Sequence, residues 1–431
     1  MSRGERRVVF VSQMYPPEKG GNPSRIHDTA THLREEGWDV TVLAPPPSYP
    51  PGEFERTNRL RSTEVVDGVT VHRLWTWQPR GDDPGMRGRL PYFLLFAIHA
   101  AVWLLWHLRR YTVVVTSTPP ISTGAPGLVA AALGSRWVVD VRDLWIDASI
   151  SLGYLEEGSL IERVSRRFQA SVLHAADRIT VTTRANARLV RRQYGDSLSE
   201  KIVHVPNGVD TSLFRPTDGD GTDESSPPDD DGPTIVYTGN LGSAQDLEAC
   251  VRAMSSLDHE DATLRLVGAG DRKSDLERLT AELGLDDRVE FTGTVPRDEV
   301  PSILDRATVG VAPLEDSDEL AYAIPTKLYE YLACGLPTVV TGRGEIERFV
   351  EDSGGGVHVA NDPERIADRL DALLDDPERR RELGTAGREY VTERYGRRAI
   401  ASRLSDELDD LVGVGARERG AGDSTSQVRN A

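Results

Sequence analysis

The sequence predicts an α/β protein built from two doubly wound parallel-sheet domains, and three observations carry that prediction. Near the N-terminus a β–loop–α–β unit is packed into about 40 residues, the repeating block of such a sheet. A second series of short apolar runs alternating with helical segments begins at residue 234. Between the two lies "TDGDGTDESSPPDDDGP", residues 217–233, almost without apolar side chains and read as a solvated linker. A chain of 431 residues also exceeds what one core ordinarily organises.

In order along the chain, "RRVVFVSQM" reads as a strand, "YPPEKGGNPSR" as a loop and "RIHDTATHLREEG" as a helix ending at Gly37. "WDVTVLA" follows as a second strand. Further buried-strand runs are "TVVVTS", "WVVDV", "RITVTT" and "IVHVP". The second series runs through "TIVYTGN", "TLRLVGAGD", "RVEFTG", "TVGVAP", "LPTVV" and "GGVHV". This gives a first domain over 1–216, the linker over 217–233 and a second domain over 234–395. A C-terminal helix over 396–412 and a disordered tail over 413–431 complete the chain.

Composition removes several classes of function. The net charge of −18, from 69 acidic against 51 basic residues, argues against a nucleic-acid partner. Cys250 and Cys334 are too few for a disulfide framework or a zinc site, and His27, His72, His99, His107 and His174 form no metal-ligand spacing, so no metal is expected. "MSRGERRVVFVSQM" passes directly from charge into a short apolar run with no signal-peptide pattern, so a cytoplasmic location is expected.

The stretch "LPYFLLFAIHAAVWLLWHL", residues 90–108, is long enough to cross a bilayer. The strand runs on either side of it should share one sheet, which a single crossing would prevent. Arg87 and Arg89 before it, Arg109 and Arg110 after it, and Trp103 and Trp106 within it suit a helix lying in the membrane interface. A buried helix and a true span remain the alternatives.

In "IPTKLYEYLACGLPTVV", residues 324–340, Thr326 and Lys327 fall where a helix start presents unpaired N–H groups, a ready anion site. The competing reading is an ordinary surface Lys–Glu pair at helical spacing. The segment does not stand alone. "YPPEKGGNPSRIHDTATHLREEGWDVTVLAP", "VVDVRDLW", "VPNGVDTSLFRP", "YTGNLGSAQDLEACVRAM", "LVGAGD" and "FTGTVP" accompany it. Together these resemble the family-4 retaining glycosyltransferases of GT-B fold, in which two Rossmann-like domains face a central cleft. The resemblance covers about residues 7–410 and is strongest to the branch that builds polysaccharides or lipid-linked glycans.

The resemblance implies a donor site. Glu330 matches the second of two Glu that the family sets eight positions apart, and it would hold the nucleotide ribose. A carboxylate can accept hydrogen bonds from two adjacent hydroxyls. Thr326 would meet the donor diphosphate. Gly20 and Gly21 match the glycine pair after the first strand, where the backbone can approach phosphate. Thr294 and Val295 of "FTGTVP" would lie beside the base. Arg142 and Asp143 of "DVRDLW" stand where relatives often carry a His-Asp pair. Arg142 would stabilise the leaving phosphate, and Asp143 would position the acceptor hydroxyl or take its proton.

The chain also departs from the family. Tyr322 stands where the first Glu is usual, and Asn240 and Gln245 stand where an Arg and a Lys often meet the phosphates. Lys327 is then the natural replacement charge and a catalytic candidate, with Arg25 or Arg142 as helpers. The resulting expectation is a glycosyltransferase, using no cofactor, that moves a sugar from a nucleotide-sugar donor to a lipid-linked or glycan acceptor with retention. It would act peripherally at the inner face of the cell membrane. A sugar-nucleotide 2-epimerase and a non-catalytic nucleotide-sugar binder are the alternatives.

Overall fold

The computed structural model describes residues 6–18, 21–48, 53–78, 85–151, 155–216 and 232–414. The chain divides into two compact units. The first runs to Pro206 and resumes at Arg398, and the second is Asn207–Arg397. The expected boundary at 216 therefore moves back, because Val209 and Phe214 pack into the second unit's core. Most of the expected linker (217–231) and tail (415–431) lies outside the described residues.

The first unit contains β1 (Arg7–Val11), α1 (Gly21–Glu35), β2 (Asp39–Ala44), β3 (Arg61–Val66), β4 (Val69–Leu74) and α2 (Gly85–His107). It continues with β5 (Val113–Thr118), α3 (Gly124–Ala132), β6 (Arg136–Val141), α4 (Trp145–Ser151), α5 (Leu160–Ala175), β7 (Arg178–Val181), α6 (Arg184–Tyr194) and β8 (Ile202–His204). Its sheet has the order β3-β4-β2-β1-β5-β6-β7-β8 and is parallel except for β3. The near-continuous Val runs of β1, β5 and β6 are buried on both faces, as a covered parallel sheet requires. The β3–β4 hairpin was not anticipated from the sequence. It turns at Asp67-Gly68, both at positive φ, and β3 is mostly exposed.

α2 confirms the connectivity argument about the apolar stretch, since β1 and β5 pair directly and α2 lies between β4 and β5 in the chain. The segment Gly88–Arg110 is long and apolar enough to cross a membrane. Its inner face, however, gives Phe96, Ala100, Trp103 and Leu104 to the core beneath the sheet.

The second unit contains β9 (Thr234–Thr238), α7 (Leu247–Ala253), β10 (Thr263–Val267), α8 (Lys273–Leu283), β11 (Val289–Gly293), α9 (Val300–Asp305) and β12 (Val309–Ala312). Then come α10 (Thr326–Ala333), β13 (Thr338–Val340), α11 (Glu345–Ser353), β14 (Gly356–His358), α12 (Pro363–Leu374) and α13 (Pro377–Tyr395). Its six strands are all parallel, in the order β11-β10-β9-β12-β13-β14. The last helix, α14 (Arg397–Val412), returns to the first unit. There Leu404, Leu408 and Val412 pack with Val8, Phe10 and Trp38. Trp38 Nε1 donates to Ser405 Oγ at 2.9 Å, and Arg6 pairs with Asp409 at 2.6 Å.

Candidate active site

In an open doubly wound sheet, ligands gather outside the carboxyl ends of the strands where the winding reverses. In the second unit that point lies between β9 and β12. The chain leaves β9 through Gly239, Asn240, Leu241 and Gly242 into a short 3₁₀ turn over Ser243–Gln245. α10 is pinned beside it, because the Tyr331 hydroxyl accepts a hydrogen bond from the Thr238 amide at 2.6 Å. The turn sits close against the loop after β10. Leu241 N donates to Ala269 O at 2.9 Å, and Gly239 N donates to Val267 O at 2.8 Å. A Cβ on Gly268, whose φ is +145°, would stand 1.8 Å from Gly239 O. The glycine of "LVGAGD" thus permits backbone to lie on backbone.

Lys327 is the centre of this arrangement. Its ammonium donates to the Tyr237 hydroxyl at 2.5 Å and to Gln245 Oε1 at 2.6 Å. It also stands 4.0 Å from the centre of the Tyr237 ring, a cation–π contact. The Tyr237 hydroxyl in turn donates to Asn240 O at 2.6 Å. The side chain is only 8% exposed. Burial pushes its pKa down to about 7, against the opposing pull of the Glu330 carboxylate. Lys327 is therefore not a bland surface lysine, and none of the partners named here places a carboxylate on its ammonium.

The structure brings several expected donor-site residues together here. Thr326 opens α10 behind Pro325, with no side-chain cap and no acidic residue in the first turn. Of the first-turn amides of α10, that of Leu328 donates to Pro325 O at 3.1 Å, whereas those of Thr326 and Lys327 lack an intrahelical acceptor. Glu330 lies three residues beyond Lys327 and is half-buried. Asn240 is exposed at the turn, and Gln245 is half-buried on Lys327. Tyr322 is buried, 6% exposed, in the segment ahead of α10. Thr294 and Val295 follow β11 at the same carboxyl edge. Thr294 is exposed, and Val295 packs against the core. Among the described residues, no hydrogen bond links either of them to the Lys327 cluster. Tyr237 is a member that sequence reasoning missed; the "TIVYTGN" run marked it only as a strand residue.

In the first unit the reversal lies between β1 and β5. Gly20 falls outside the described residues, and Gly21 is the first residue of α1. Arg25 is occupied otherwise than expected. Its terminal nitrogens donate to Asp140 at 2.5 and 3.1 Å and to Val205 O at 3.2 Å. Ser117 and Thr180 hydroxyls complete the shell of Asp140 at 3.0 and 2.8 Å. Burial would raise the Asp140 carboxyl, but Arg25 outweighs it and holds the group below its usual range. Arg25 serves a buried ion pair, which sequence spacing gave no means of seeing.

Arg142 follows β6 and is 5% exposed. Its Nε donates to Thr118 O at 3.1 Å, whereas one terminal nitrogen, Nη1, is buried without a partner. Burial pushes its pKa down to about 10. Burial also raises the Asp143 carboxyl, opposed by Arg142 beside it. At the end of β1, Gln13 is 1% exposed with both amide atoms unpartnered. No motif or spacing around it marked it beforehand. Among the described residues no group of three or more His, Cys, Asp and Glu side chains is placed to hold a metal ion.

Comparison with known proteins fits this geometry. The family described as "Glycosyl transferases group 1" matches residues 220–390, and "Glycosyl transferase 4-like domain" matches residues 20–208. The chain is 24% identical over 370 residues to the putative colanic acid biosynthesis glycosyl transferase WcaI of Escherichia coli K12, covering 84% of this chain and 89% of that one. It is 31% identical over 393 residues to a D-inositol 3-phosphate glycosyltransferase of Acidothermus cellulolyticus, covering 86% and 83%. Among solved structures, sucrose-phosphate synthase from Thermosynechococcus elongatus superposes with a TM-score of 0.74 at 19% identity, covering 95% of this chain and all of that one. Two parallel α/β units of GT-B fold and identity to a named transferase over most of its length lead to one assignment: the chain belongs to the family-4 glycosyltransferases.

Proposed function

We propose that this glycosyltransferase, drawing on a nucleotide-sugar donor, transfers the sugar with retention of configuration to a lipid-linked or glycan acceptor at a membrane surface. The observation that supports it most is the caged ammonium of Lys327 beside the open start of α10. A diphosphate brings about two negative charges, which Lys327 and the α10 amides would meet at one place. Glu330 would receive the ribose hydroxyls, Asn240 and Gln245 would border the phosphates, and Thr294 and Val295 would flank the base. In the first unit, Asp143 is assigned to the acceptor hydroxyl and Arg142 to the leaving phosphate. Arg25, engaged by Asp140, is left out.

In the reaction the acceptor oxygen bonds to the anomeric carbon as the bond to the diphosphate breaks, and the hydroxyl proton passes to the leaving diphosphate on the same face. Negative charge grows on that group in the transition state. Lys327→Ala should therefore lower turnover more than it weakens donor binding. The membrane setting is supported by the apolar outer side of α2. The experiment is incubation of the protein with labelled sugar nucleotides and a lipid extract, followed by determination of the anomeric configuration of any product. Label in the lipid fraction with the donor's configuration is expected. An epimerised donor, or binding without turnover, would overturn the reading.

A further inference from the structure

α2, α3 and α5 lie side by side on one face of the first sheet. Their inner side chains, among them Phe96, Leu104, Ala130 and Leu173, join a single core cluster. Their outer surfaces therefore share one side of the unit. On α2 that surface carries Leu94, Ile98, Val102, Leu105 and Trp106, from 45% to 82% exposed, at helical spacing. α3, "GAPGLVAAA", has no polar side chain, although Ala125, Leu128 and Val129 are only half-buried and Ala132 is exposed. α5 adds Leu160 and Ile161, each 69% exposed, and Val164 at 55%. Contiguous exposed apolar surface on this scale marks an interaction site.

The exposed charges carried by these three helices are one-sided. In a chain of net charge −18, α2 and α3 hold no Asp or Glu. The one acid of α5, Glu162, is buried and accepts from Arg166 at 2.6 Å. Glu156 and Glu157 lie in the loop ahead of α5. The exposed charges of the three-helix layer and its end are Arg89, Arg109, Arg110, Arg163 and Arg167. An apolar surface rimmed by guanidinium groups complements anionic headgroups over an acyl layer. A second copy of the chain would present the same basic rim, and like charges would oppose the pairing.

Direction along the sheet adds a consequence. Helices that return between parallel strands run opposite to them, so the start of α5 stands at the carboxyl edge of the sheet. Leu160, Ile161 and Val164 therefore stand at the same edge as Gln13, Thr118 and Arg142. We propose that the outer faces of α2, α3 and α5 form one docking face for an anionic bilayer. In it, the first turn of α5 is a second anchor that brings the strand-end edge of the first unit to the lipid surface. This deepens, and rests on, the interfacial reading of α2.

The test is sedimentation of the full chain with phosphatidylcholine vesicles, with and without phosphatidylglycerol. Binding is expected to favour the anionic vesicles. L160Q/I161Q/V164Q should weaken partitioning to both vesicle types by about a hundredfold. R163Q/R167Q should lower it on anionic vesicles alone, by roughly tenfold. All five side chains are solvent-exposed, so circular dichroism and nucleoside-diphosphate binding should match the parent. Those two readouts also separate a failure here from a failure of the transferase reading. Parent-like partitioning by both variants, or equal binding to neutral and anionic vesicles, would overturn the proposal. So would a dimer of the parent that the apolar variant abolishes, since the face would then be self-associating.

Discussion

Replacing Lys327 by Met should change how stability depends on pH. In the folded chain the Lys327 ammonium loses its proton near pH 7, whereas an unfolded lysine holds it to about 10.5. Between those values the unfolded state binds more protons, so the parent gains stability as pH rises through the window. Below pH 7 the whole burial penalty is present. It amounts to about 5 kcal/mol, since each pKa unit is about 1.4 kcal/mol. Met fills a similar volume without a titrating group, at the loss of the bonds to Tyr237 and Gln245. Urea midpoints of parent and K327M, measured between pH 6 and 10, should converge or cross. The stability of the variant minus that of the parent should fall by up to about 1.4 kcal/mol per pH unit above pH 7. Parallel curves, or a difference that grows with pH, would refute the caged, readily neutralised lysine.

Three further outcomes are expected. Glu330→Gln should weaken nucleoside-diphosphate binding by about ten- to a hundredfold in calorimetry while leaving circular dichroism unchanged, because it halves the acceptor capacity offered to the ribose; parent-like affinity would remove Glu330 from the site. Asp140→Asn should cost about 3–5 kcal/mol in urea unfolding by stranding the buried Arg25, and adding Arg25→Met should recover part of it; a cost below about 1 kcal/mol would show that the pair is solvated. Gly268→Ala should destabilise by more than about 2 kcal/mol through its backbone collision, whereas Gly134→Ala, with open space around its Cβ, should lose only about 1 kcal/mol for its positive φ; equal losses would deny the close packing of the two loops.

Among the strands that sequence reading found, β5, β6 and β9 carry Val and Ile runs buried on both faces. β3 escaped because it lies at the sheet edge, and Arg61 and Glu64 break its apolar pattern. The Asp67-Gly68 pair was its one local signal. At the candidate site, the resemblance to the family pointed to Lys327 and Glu330, and the helix start at Thr326 was visible locally. The cage around Lys327 was not, because Tyr237 and Gln245 arrive from strand and turn residues far away in sequence. The same holds for Arg25 and Asp140, which come from α1 and β6 and meet only in the folded unit. Periodicity announced a buried face on the final helix, but could not say whose core it would enter.

That final helix makes the first unit wait for the last part of the chain. Leu404 and Leu408 fill the layer under β1 and β2, and Trp38 finds its hydrogen-bond partner only in Ser405. As the polypeptide leaves the ribosome, the N-terminal sheet can form its ladders early. It keeps an apolar face bare until the whole second unit has been made and α14 arrives. Exposed apolar surface of this kind is what chaperones bind and what aggregates when synthesis stalls. A chain interrupted after Arg397 would carry a complete second unit beside a first unit with its core still open on one side.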